Sequence, residues 1–450
     1  MRSLLIVFYC LVSALTIKAN GQDRLWKIQT TDYHGTYYGA TVANGGIGIL
    51  PWKEPFSIRH VMLNHVFDSA TPQDVSRVLR GINPFNLQMQ INGQTVNGDN
   101  ISGWEQCIDM KEATHNTHFT CDGKADVSYS ICALRNLPYA GLVRVEVTAL
   151  GDMYLTVSNP IEVPDEYKNI GSKLVNVNVN GNDIKIVRTW ALSKHREQKV
   201  SASSAFIYDK NSNVQQQYNG NGQISIPLKK GEKFFFTLLG AVCTGRDFID
   251  PYNEADREVI YGAKEGLARL MDGHQKLWDE MWKGDIVIEG DDEAQRAVRF
   301  ALYNLYSNAR KGSRLSIPPF GLSSQGYNGH IFWDTEFWMY PPMLFMNQGI
   351  ARTMMDYRTD RLEAACQKAL SYGYDGAMFP WESDDAGEEA CPTWALTGPF
   401  EHHITADIAI AAWNYYCMSG DQRWLREEGF PLMEKVAEFW VSRVEKNDDG

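Results

Sequence analysis

The amino-acid sequence predicts two kinds of structure in succession, an antiparallel β-sandwich and then, beyond a helical linker, a helical domain. Between residues 26 and 247, short β-rich runs alternate with Gly, Asn, Asp and Pro. After Pro251 the apolar residues recur at helical spacing instead. This change of period divides the chain into a sandwich at 22–250, a linker at 251–290 and a helical domain at 291–450.

The sandwich is predicted from its strands and its turns. Runs rich in β-branched and aromatic residues occupy 142–150, 186–192, 205–208 and 233–242. Asn92-Gly93 and Asn180-Gly181 are typical of tight hairpin turns. The Gly-rich run 44–48 has neither the GxGxxG spacing nor the GK[ST] ending of nucleotide-binding loops, so we expect a glycine-rich strand or bulge there.

The helices are predicted from the 3.6-residue period. Residues 253–282 carry apolar side chains at this spacing without an interrupting proline, which indicates a helical linker. A second helix at 293–307 follows Asp291-Asp292, where carboxylates suit a helix N-terminus. Further helices are expected at 343–369, 405–419 and 430–445, with long loops at 312–327 and 373–400. Loops of that length in a helical domain usually carry function.

The first 21 residues have the pattern of a secretory signal peptide. Arg2 precedes a mostly apolar run from Leu4 to Leu15, and small and polar residues follow around Ala19. That run is too short to cross a bilayer, and no later segment approaches the required length. We therefore expect an exported protein, periplasmic or extracellular, without a membrane span.

Composition and charge exclude several functional classes. The chain has 450 residues, of which 44% are apolar. This apolar fraction is too high for a disordered protein. Its formal net charge of −12 argues against nucleic acid or an anionic membrane as the main partner. Seven scattered cysteines follow Cys10 of the leader, and neither a disulfide framework nor a zinc motif is apparent among them.

A group of acidic residues on the second long loop raises the question of a metal site. The residues concerned are Asp384, Asp385, Glu388 and Glu389. Their order does not follow the alternating oxygen ligands of a calcium loop. We expect a solvated or substrate-facing loop there, with no obligatory metal and no cofactor.

Two pairs of neighbouring aromatic and acidic residues lie beside the long loops, Trp333-Asp334 and Trp381-Glu382. A pyranose presents apolar C–H faces and a rim of hydroxyls, and indole beside carboxylate complements both. A tryptophan at the edge of the core beside a solvated acid is the alternative for each pair.

Three ordered motifs resemble glycoside hydrolase family 65. Residues 321–336 read GLSSQGYNGHIFWDTE, residues 376–383 read GAMFPWES and are followed by GEE at 387–389, and residues 401–409 read EHHITADIA. The resemblance implies a β-sandwich, a helical linker and an (α/α)6 barrel, of which the chain would hold the first part. It also implies inverting action on small α-glucosides.

The resemblance assigns site residues as well. Trp333 and Asp334 are expected to line the subsite for the non-reducing glucose, and Trp381 and Glu382 to belong to the same pocket. Four further residues are expected to contact and position these side chains without touching the sugar themselves: His330, Glu336, Glu401 and His403. For His403, a hydrogen-bonded histidine near a helix start is an equal alternative.

The resemblance further implies that the catalytic acid and base are not in this chain. An inverting glycosidase needs two carboxyl groups about 6.5 to 9.5 Å apart. In the family, both groups come at positions that correspond to residues beyond Gly450. A barrel of twelve helices also needs roughly 300 residues, more than follow Gly290. We therefore expect an incomplete barrel that does not catalyse by itself.

The family contains both hydrolases and disaccharide phosphorylases. A phosphorylase conserves bond energy as a sugar phosphate, which is useful inside the cell, so a signal peptide favours hydrolysis. Residues 389–392, EACP, resemble the hydrolase branch acting on α-1,2-glucosides, which includes kojibiose hydrolases and glucosylgalactosyl-hydroxylysine glucosidases. A phosphorylase and a non-catalytic carbohydrate-binding protein remain the alternatives, and family analogy suggests a homodimer.

Overall fold

The computed structural model describes residues 23–69, 75–179 and 181–449. The predicted signal peptide at 1–21 and Asn180 of one predicted hairpin turn lie outside these residues. So does Gly450, the position after which the catalytic acid and base are expected, and that expectation stays a prediction. No helix within the described part of the chain is long and apolar enough to cross a membrane.

The N-terminal part is built from antiparallel strands, as predicted. In chain order these are β1 Lys27–Thr30, β2 Val42–Ala43, β3 Ile47–Pro51, β4 Ile58–Ser69, β5 Ser76–Gly81, β6 Gln88–Ile91, β7 Gln94–Thr95, β8 Ile101–Asp109, β9 Thr114–Cys121, β10 Ala125–Ala133, β11 Ala140–Ala149, β12 Met153–Asn159, β13 Tyr167–Val179, β14 Asn182–Ser193, β15 Lys199–Tyr208, β16 Gln215–Tyr218, β17 Gly222–Leu228 and β18 Lys233–Thr244.

These strands form three sheets whose buried faces make the core of the sandwich. The largest sheet has the order β1-β8-β9-β10-β11-β18-β15-β14-β13, and the others are β16-β17-β12-β6-β7 and β2-β3-β4-β5. Alternate residues of β9 and β12 are buried, as expected of strands with one solvated face. Asn92 and Gly93 both have positive φ, 52° and 80°, which fits the predicted tight turn between β6 and β7.

The Gly-rich run 44–48 is a hairpin turn followed by the start of β3, so the expected strand or bulge is right only for its last two residues. The side-chain oxygen of Asn44 accepts hydrogen bonds from the backbone N–H groups of Gly46 and Ile47 at 2.9 and 3.0 Å. Gly45 has a φ of 82°, and a Cβ there would collide with the backbone of Ala309. The turn therefore needs glycine because the helical domain lies against it.

The helices after residue 250 are α1 Pro251–Glu265, α2 Leu267–Met281, α3 Asp292–Asn308, α4 Tyr340–Met346, α5 Gln348–Thr359, α6 Leu362–Ser371, α7 Thr397–Phe400, α8 His403–Ser419, α9 Gln422–Trp424 and α10 Phe430–Arg443. Wide helical turns at Thr335–Met339 and Leu425–Gly429 lead into α4 and α10.

Two long helices of the prediction are broken in the structure. The linker helix divides at Gly266, whose φ of 82° ends α1. The expected helix at 343–369 is interrupted at Asn347, which caps α5 through its side chain, and again at Asp360 and Arg361. Apolar residues continue at helical spacing across these breaks, for example at Val259, Leu270 and Trp278, so periodicity alone does not reveal them.

The sandwich and the helical domain share an interface. α1 packs on β15 and β18, and α4, α5, α8 and α10 pack on one another. The hydroxyl of Tyr303 on α3 donates to the carbonyl of Thr41 at 3.0 Å. The buried guanidinium of Arg135, from the loop after β10, donates to the carbonyl of Tyr306 at 3.0 Å. These bonds anchor the helices against the sandwich.

Candidate functional site

Trp333 and Asp334 lie directly before the helical turn that leads into α4. The buried hydroxyl of Thr335 donates to the carbonyl of Ile317 at 2.9 Å and fixes this point of the chain to the preceding long loop. Both Trp333 and Asp334 are half-buried. The carboxylate of Asp334 makes no hydrogen bond or ion pair with any residue that the structure describes, so it is free to accept hydrogen bonds from a ligand.

Trp381 and Glu382 lie on the long loop after α6, and Glu389 holds them there. One carboxylate oxygen of Glu389 accepts the backbone N–H of Trp381 at 2.8 Å. The other accepts the N–H groups of Glu382 and Cys391 at 3.0 and 3.1 Å. The ammonium of Lys368 on α6 donates to the same carboxylate at 2.5 Å. Charge-assisted bonds of this kind are stronger than neutral ones, and they close the loop into a defined shape.

The two aromatic–acidic pairs are brought together by the backbone. Ile331 and Ser383 exchange two hydrogen bonds of 2.9 Å, so the segment before Trp333 runs antiparallel to the segment after Glu382. The N–H of Ala390 in turn donates to the carbonyl of Glu382 at 2.9 Å. The first two sequence motifs therefore lie side by side.

His403, from the third motif, lies between the two tryptophans. Its ring centroid is 5.1 Å from that of Trp333 and 5.4 Å from that of Trp381, with the rings in edge-to-face orientation. Nδ1 of His403 is 2.8 Å from a carboxylate oxygen of Asp407, one helical turn along α8, and Nε2 is 3.6 Å from Glu401. The imidazole is both a hydrogen-bonded histidine near a helix start and a neighbour of both indoles.

Glu382 is bonded to His330, which lies behind the site and is fully buried. The distance from Nδ1 of His330 to a carboxylate oxygen of Glu382 is 2.9 Å. On its other side the imidazole contacts Ser76 of strand β5. His330 therefore joins Glu382 to the sandwich.

Glu336 is buried and forms an ion pair. The guanidinium of Arg358 on α5 donates to both carboxylate oxygens of Glu336, at 2.7 and 2.9 Å, and to the carbonyl of Phe332 at 3.2 Å. Burial lowers the pKa of Arg358, but the carboxylate outweighs burial and raises that pKa overall. Glu336 thus fixes the turn that follows Trp333 and Asp334.

The prediction of a solvated or substrate-facing acidic loop is wrong for two of its four residues. Asp384 is buried, and it accepts hydrogen bonds from the Ser76 hydroxyl and from two backbone N–H groups of its own loop. Glu389 is bound by backbone and by Lys368, as described above. Only the fold reveals this, because the donors belong to main chain and to other elements. Within the described residues, no three or more His, Cys, Asp or Glu side chains form a group that could hold a metal ion.

Sequence analysis missed several residues that shape the site. Arg358, Lys368 and Ser76 carry no local signal, because their partners lie in other elements. Phe337 and Trp338 could have been found, since they directly follow the first motif. Both are exposed, and their rings lie 5.5 and 6.2 Å from that of Trp333. They extend the aromatic surface beside the site.

The arrangement has the chemistry of a sugar site. Two indoles provide flat apolar surfaces, and the Asp334 and Glu382 carboxyl groups, next to them in the chain, can accept hydrogen bonds from hydroxyls. A family model described as the glycosyl hydrolase family 65 N-terminal domain matches residues 39–281. The model of the family 65 central catalytic domain matches residues 299–450, a range that includes all eight candidate site residues.

The chain belongs to glycoside hydrolase family 65. A kojibiose hydrolase from Flavobacterium johnsoniae is 42% identical over 422 residues, which are 92% of this chain and 62% of that protein. A kojibiose hydrolase from Mucilaginibacter mallensis is 37% identical over 448 residues, 98% of this chain and 66% of that protein. The chain thus spans about two thirds of the length of these relatives.

The fold of this family 65 chain is also found in a solved structure. That protein, from the human microbiome, is described as a kojibiose phosphorylase. It superposes with a TM-score of 0.78 at 16% identity, covering 94% of this chain and 60% of the other. The likeness shows that the β-sandwich, the helical linker and the first part of the (α/α)6 barrel are arranged as the sequence predicts.

Proposed function

We propose that the whole protein is an exported, inverting α-glucoside hydrolase that releases glucose from the non-reducing end of a small α-1,2-linked, kojibiose-like glucoside. The observation that carries this proposal is the grouping of Trp333, Trp381 and His403, with the free carboxylate of Asp334 next to Trp333. The two kojibiose hydrolases support hydrolysis and the α-1,2 linkage, since they match over more than nine tenths of this chain.

Each site residue then has a part in holding the non-reducing glucose. The indoles of Trp333 and Trp381 pack on the C–H faces of the sugar, and Asp334 accepts hydrogen bonds from its hydroxyls. Glu382 provides a second acceptor. These interactions fix the ring so that the glycosidic bond meets the catalytic acid and a water molecule in a reactive orientation. We assign Asp334 and Glu382 to sugar binding and not to proton transfer.

The test is an assay of the full-length gene product on kojibiose, nigerose, maltose and trehalose, with and without inorganic phosphate. Proton NMR identifies the anomer released during the first turnovers. We expect β-glucose from kojibiose without phosphate. α-Glucose would contradict inversion, and another preferred disaccharide would contradict the linkage. Glucose 1-phosphate formed only with phosphate would show a phosphorylase, and no product from any sugar would favour a binding protein.

A further inference from the structure

The buried His330 side chain connects the sandwich to the sugar site. Its ring stacks on Phe67 of strand β4, with the centroids 5.7 Å apart and the planes 9° from parallel. Nε2 faces Ser76 of strand β5, and Nδ1 faces Glu382. Because His330 is inaccessible to water, the hydrogen-bonding groups around it decide where its hydrogens lie.

The surroundings of Nε2 require this nitrogen to carry a hydrogen. It lies 2.8 Å from the backbone carbonyl oxygen of Ser76, which can only accept. It also lies 3.2 Å from the Ser76 hydroxyl, whose own hydrogen is donated to Asp384 at 3.1 Å. Asp384 also lies 3.6 Å from the guanidinium of Arg196, and its carboxyl oxygen accepts the hydrogen of the Ser76 hydroxyl. Every group that Nε2 meets is therefore an acceptor.

If Nε2 carries the single hydrogen of a neutral imidazole, Nδ1 of His330 must be an acceptor. A neutral imidazole with its hydrogen on Nε2 has a lone pair on Nδ1, which would lie 2.9 Å from a carboxylate oxygen of Glu382. Two acceptors at that distance repel each other unless a hydrogen lies between them. Either the imidazole is doubly protonated beside a carboxylate, or Glu382 carries the proton and donates it to Nδ1.

We propose that Ser76 and His330 are positioning residues for the sugar site, which keep one shared proton between His330 and Glu382. This inference rests on the sugar-binding role proposed for Glu382. The shared proton fixes one carboxyl oxygen of Glu382 against the imidazole. The other oxygen makes no hydrogen bond to a described residue and accepts one from a glucose hydroxyl. The sandwich thereby orients a ligand-binding group of the barrel.

Charged and titratable groups surround the pair from every element packed against it. They are His65 of β4, Arg196 of the loop before β15, Glu336 of the turn before α4, Tyr357 and Arg358 of α5, Arg361 between α5 and α6, Lys368 of α6, and Asp384, Asp385, Glu389 and Cys391 of the long loop. Most of these are paired with one another. Burial lowers the pKa of His65 well below its ordinary value, so His65 adds no charge near neutral pH.

The proton positions can be measured directly in the full-length protein. Long-range 1H–15N NMR of histidine-labelled protein distinguishes protonated from unprotonated ring nitrogens, and 13C-labelled Glu reports the state of Glu382. The His330 signals are assigned by their loss in His330→Gln, with His403→Gln as the control that must leave them in place. We expect a hydrogen on Nε2 and a proton between Nδ1 and Glu382 at about pH 7.

Glu382→Gln provides an independent check on the same signals. The side-chain amide that this substitution introduces would donate to Nδ1, so His330 should become a neutral imidazole with its hydrogen on Nε2 alone. A wild-type His330 without a hydrogen on Nε2 would overturn the proposal. So would a neutral His330 beside an ionised Glu382. Neither readout needs turnover, so failure of the proposed hydrolase activity would be seen separately in the sugar assay.

The effect on ligand binding is measured by calorimetry with glucose. His330→Phe removes the imidazole, so the carboxyl group of Glu382 loses the partner that fixes its orientation. We expect glucose affinity to fall by about 2- to 10-fold in this variant, the value of one hydrogen bond, and Trp394→Ala, at an exposed position of the same loop, to keep the wild-type affinity. Equal glucose affinities in wild type and His330→Phe would contradict the role of the pair in binding.

Discussion

At the scale of single residues, the hydrogen-bonding partners of the carboxylates distinguish groups that can bind a ligand from groups that support the fold. Glu336 is occupied by Arg358, and Glu389 by three backbone N–H groups and Lys368. Asp334 has no partner among the described residues. A carboxylate at the site that lacks a protein partner is the one that gains most from a sugar hydroxyl.

The first prediction concerns this free carboxylate. Asp334→Asn in the full-length protein should lower kcat/KM for kojibiose by several orders of magnitude, because an amide accepts weaker hydrogen bonds where binding energy is used to orient the reacting sugar. Thermal unfolding should not change, since no protein contact is removed. Asp375→Asn, at an exposed aspartate, is the matched control. Near wild-type activity of Asp334→Asn would remove Asp334 from the site.

The second prediction concerns the aromatic surface. Trp381→Ala should weaken glucose binding by about 1 to 3 kcal/mol, the scale of a buried aromatic contact, as measured by calorimetry. Trp394 lies on the same long loop and is 84% exposed, so Trp394→Ala tests whether removing any indole from the loop has this effect. Equal glucose affinities in wild type and Trp381→Ala would mean that Trp381 only packs against the protein.

At the scale of elements, the long loop after α6 holds its shape through the carboxylates of Glu389 and Asp384 instead of regular secondary structure. The backbone N–H groups bound by Glu389 have no strand or helix partner, and a buried, unbonded N–H is costly. Lys368 is nine-tenths buried, and its ammonium also donates to the carbonyl of Gly398 at 3.1 Å. The ion pair therefore links α6, the loop and the segment that leads to α8.

The third prediction tests this link. Glu389→Gln should lower the free energy of unfolding by about 1 to 3 kcal/mol, because it leaves buried donors and the Lys368 ammonium without their charged acceptor. It should also raise KM, since Trp381 and Glu382 lose their anchor. Urea unfolding and steady-state kinetics measure the two effects.

Two further variants make that result specific. Glu388→Gln, at the exposed neighbour, should behave as wild type. Adding Lys368→Met to Glu389→Gln should recover part of the stability, because the unpaired buried charge is removed. Lys368→Met should also be measured alone. If it lowers the free energy of unfolding of Glu389→Gln by as much as it lowers that of the wild type, the two side chains do not act together.

At the scale of the whole molecule, the junction between sandwich and helices contains a carboxyl group that opposes stability at neutral pH. Glu258 lies on α1, and one of its oxygens is buried without a hydrogen-bond partner among the described residues. Burial and the neighbouring Glu254 raise the pKa of Glu258 to about 7, although Arg310 opposes this. Folding therefore favours the protonated form.

The fourth prediction follows from the sign of that shift. Between the ordinary pKa of a glutamate, 4.5, and the folded value of about 7, the folded state holds a proton that the unfolded state has lost. The stabilisation that protonated Glu258 contributes is complete below pH 4.5 and disappears as the pH rises through about 7.

The measurement is the urea midpoint of unfolding at about pH 5 and about pH 8 for wild type and Glu258→Gln. The amide has no proton to lose, so the fall in midpoint between the two pH values should be smaller in the variant. Glu289→Gln, at an exposed glutamate, should keep the wild-type difference. An unchanged difference in Glu258→Gln would show that Glu258 is ionised in the folded protein.

The agreement between sequence and structure varies with the element. The strand at 142–150 and the helix at 293–307 are found at Ala140–Ala149 and Asp292–Asn308, within two residues of their predicted ends. Their patterns are strong because one face is buried along the whole element. The breaks at Gly266 and Asn347 were missed, because apolar residues continue at helical spacing on both sides of each turn.

The sequence by itself determined the order of sandwich, linker and helices, and which aromatic and acidic residues belong to the motifs. Hydrophobic period and local motifs encode these properties within short windows. Only the tertiary structure decided that His403 lies between Trp333 and Trp381, that Glu389 is bound instead of solvated, and that Ser76 contacts His330. These contacts join residues from separate elements. The packing of the elements decides which side chains meet, and a local sequence pattern does not contain that information.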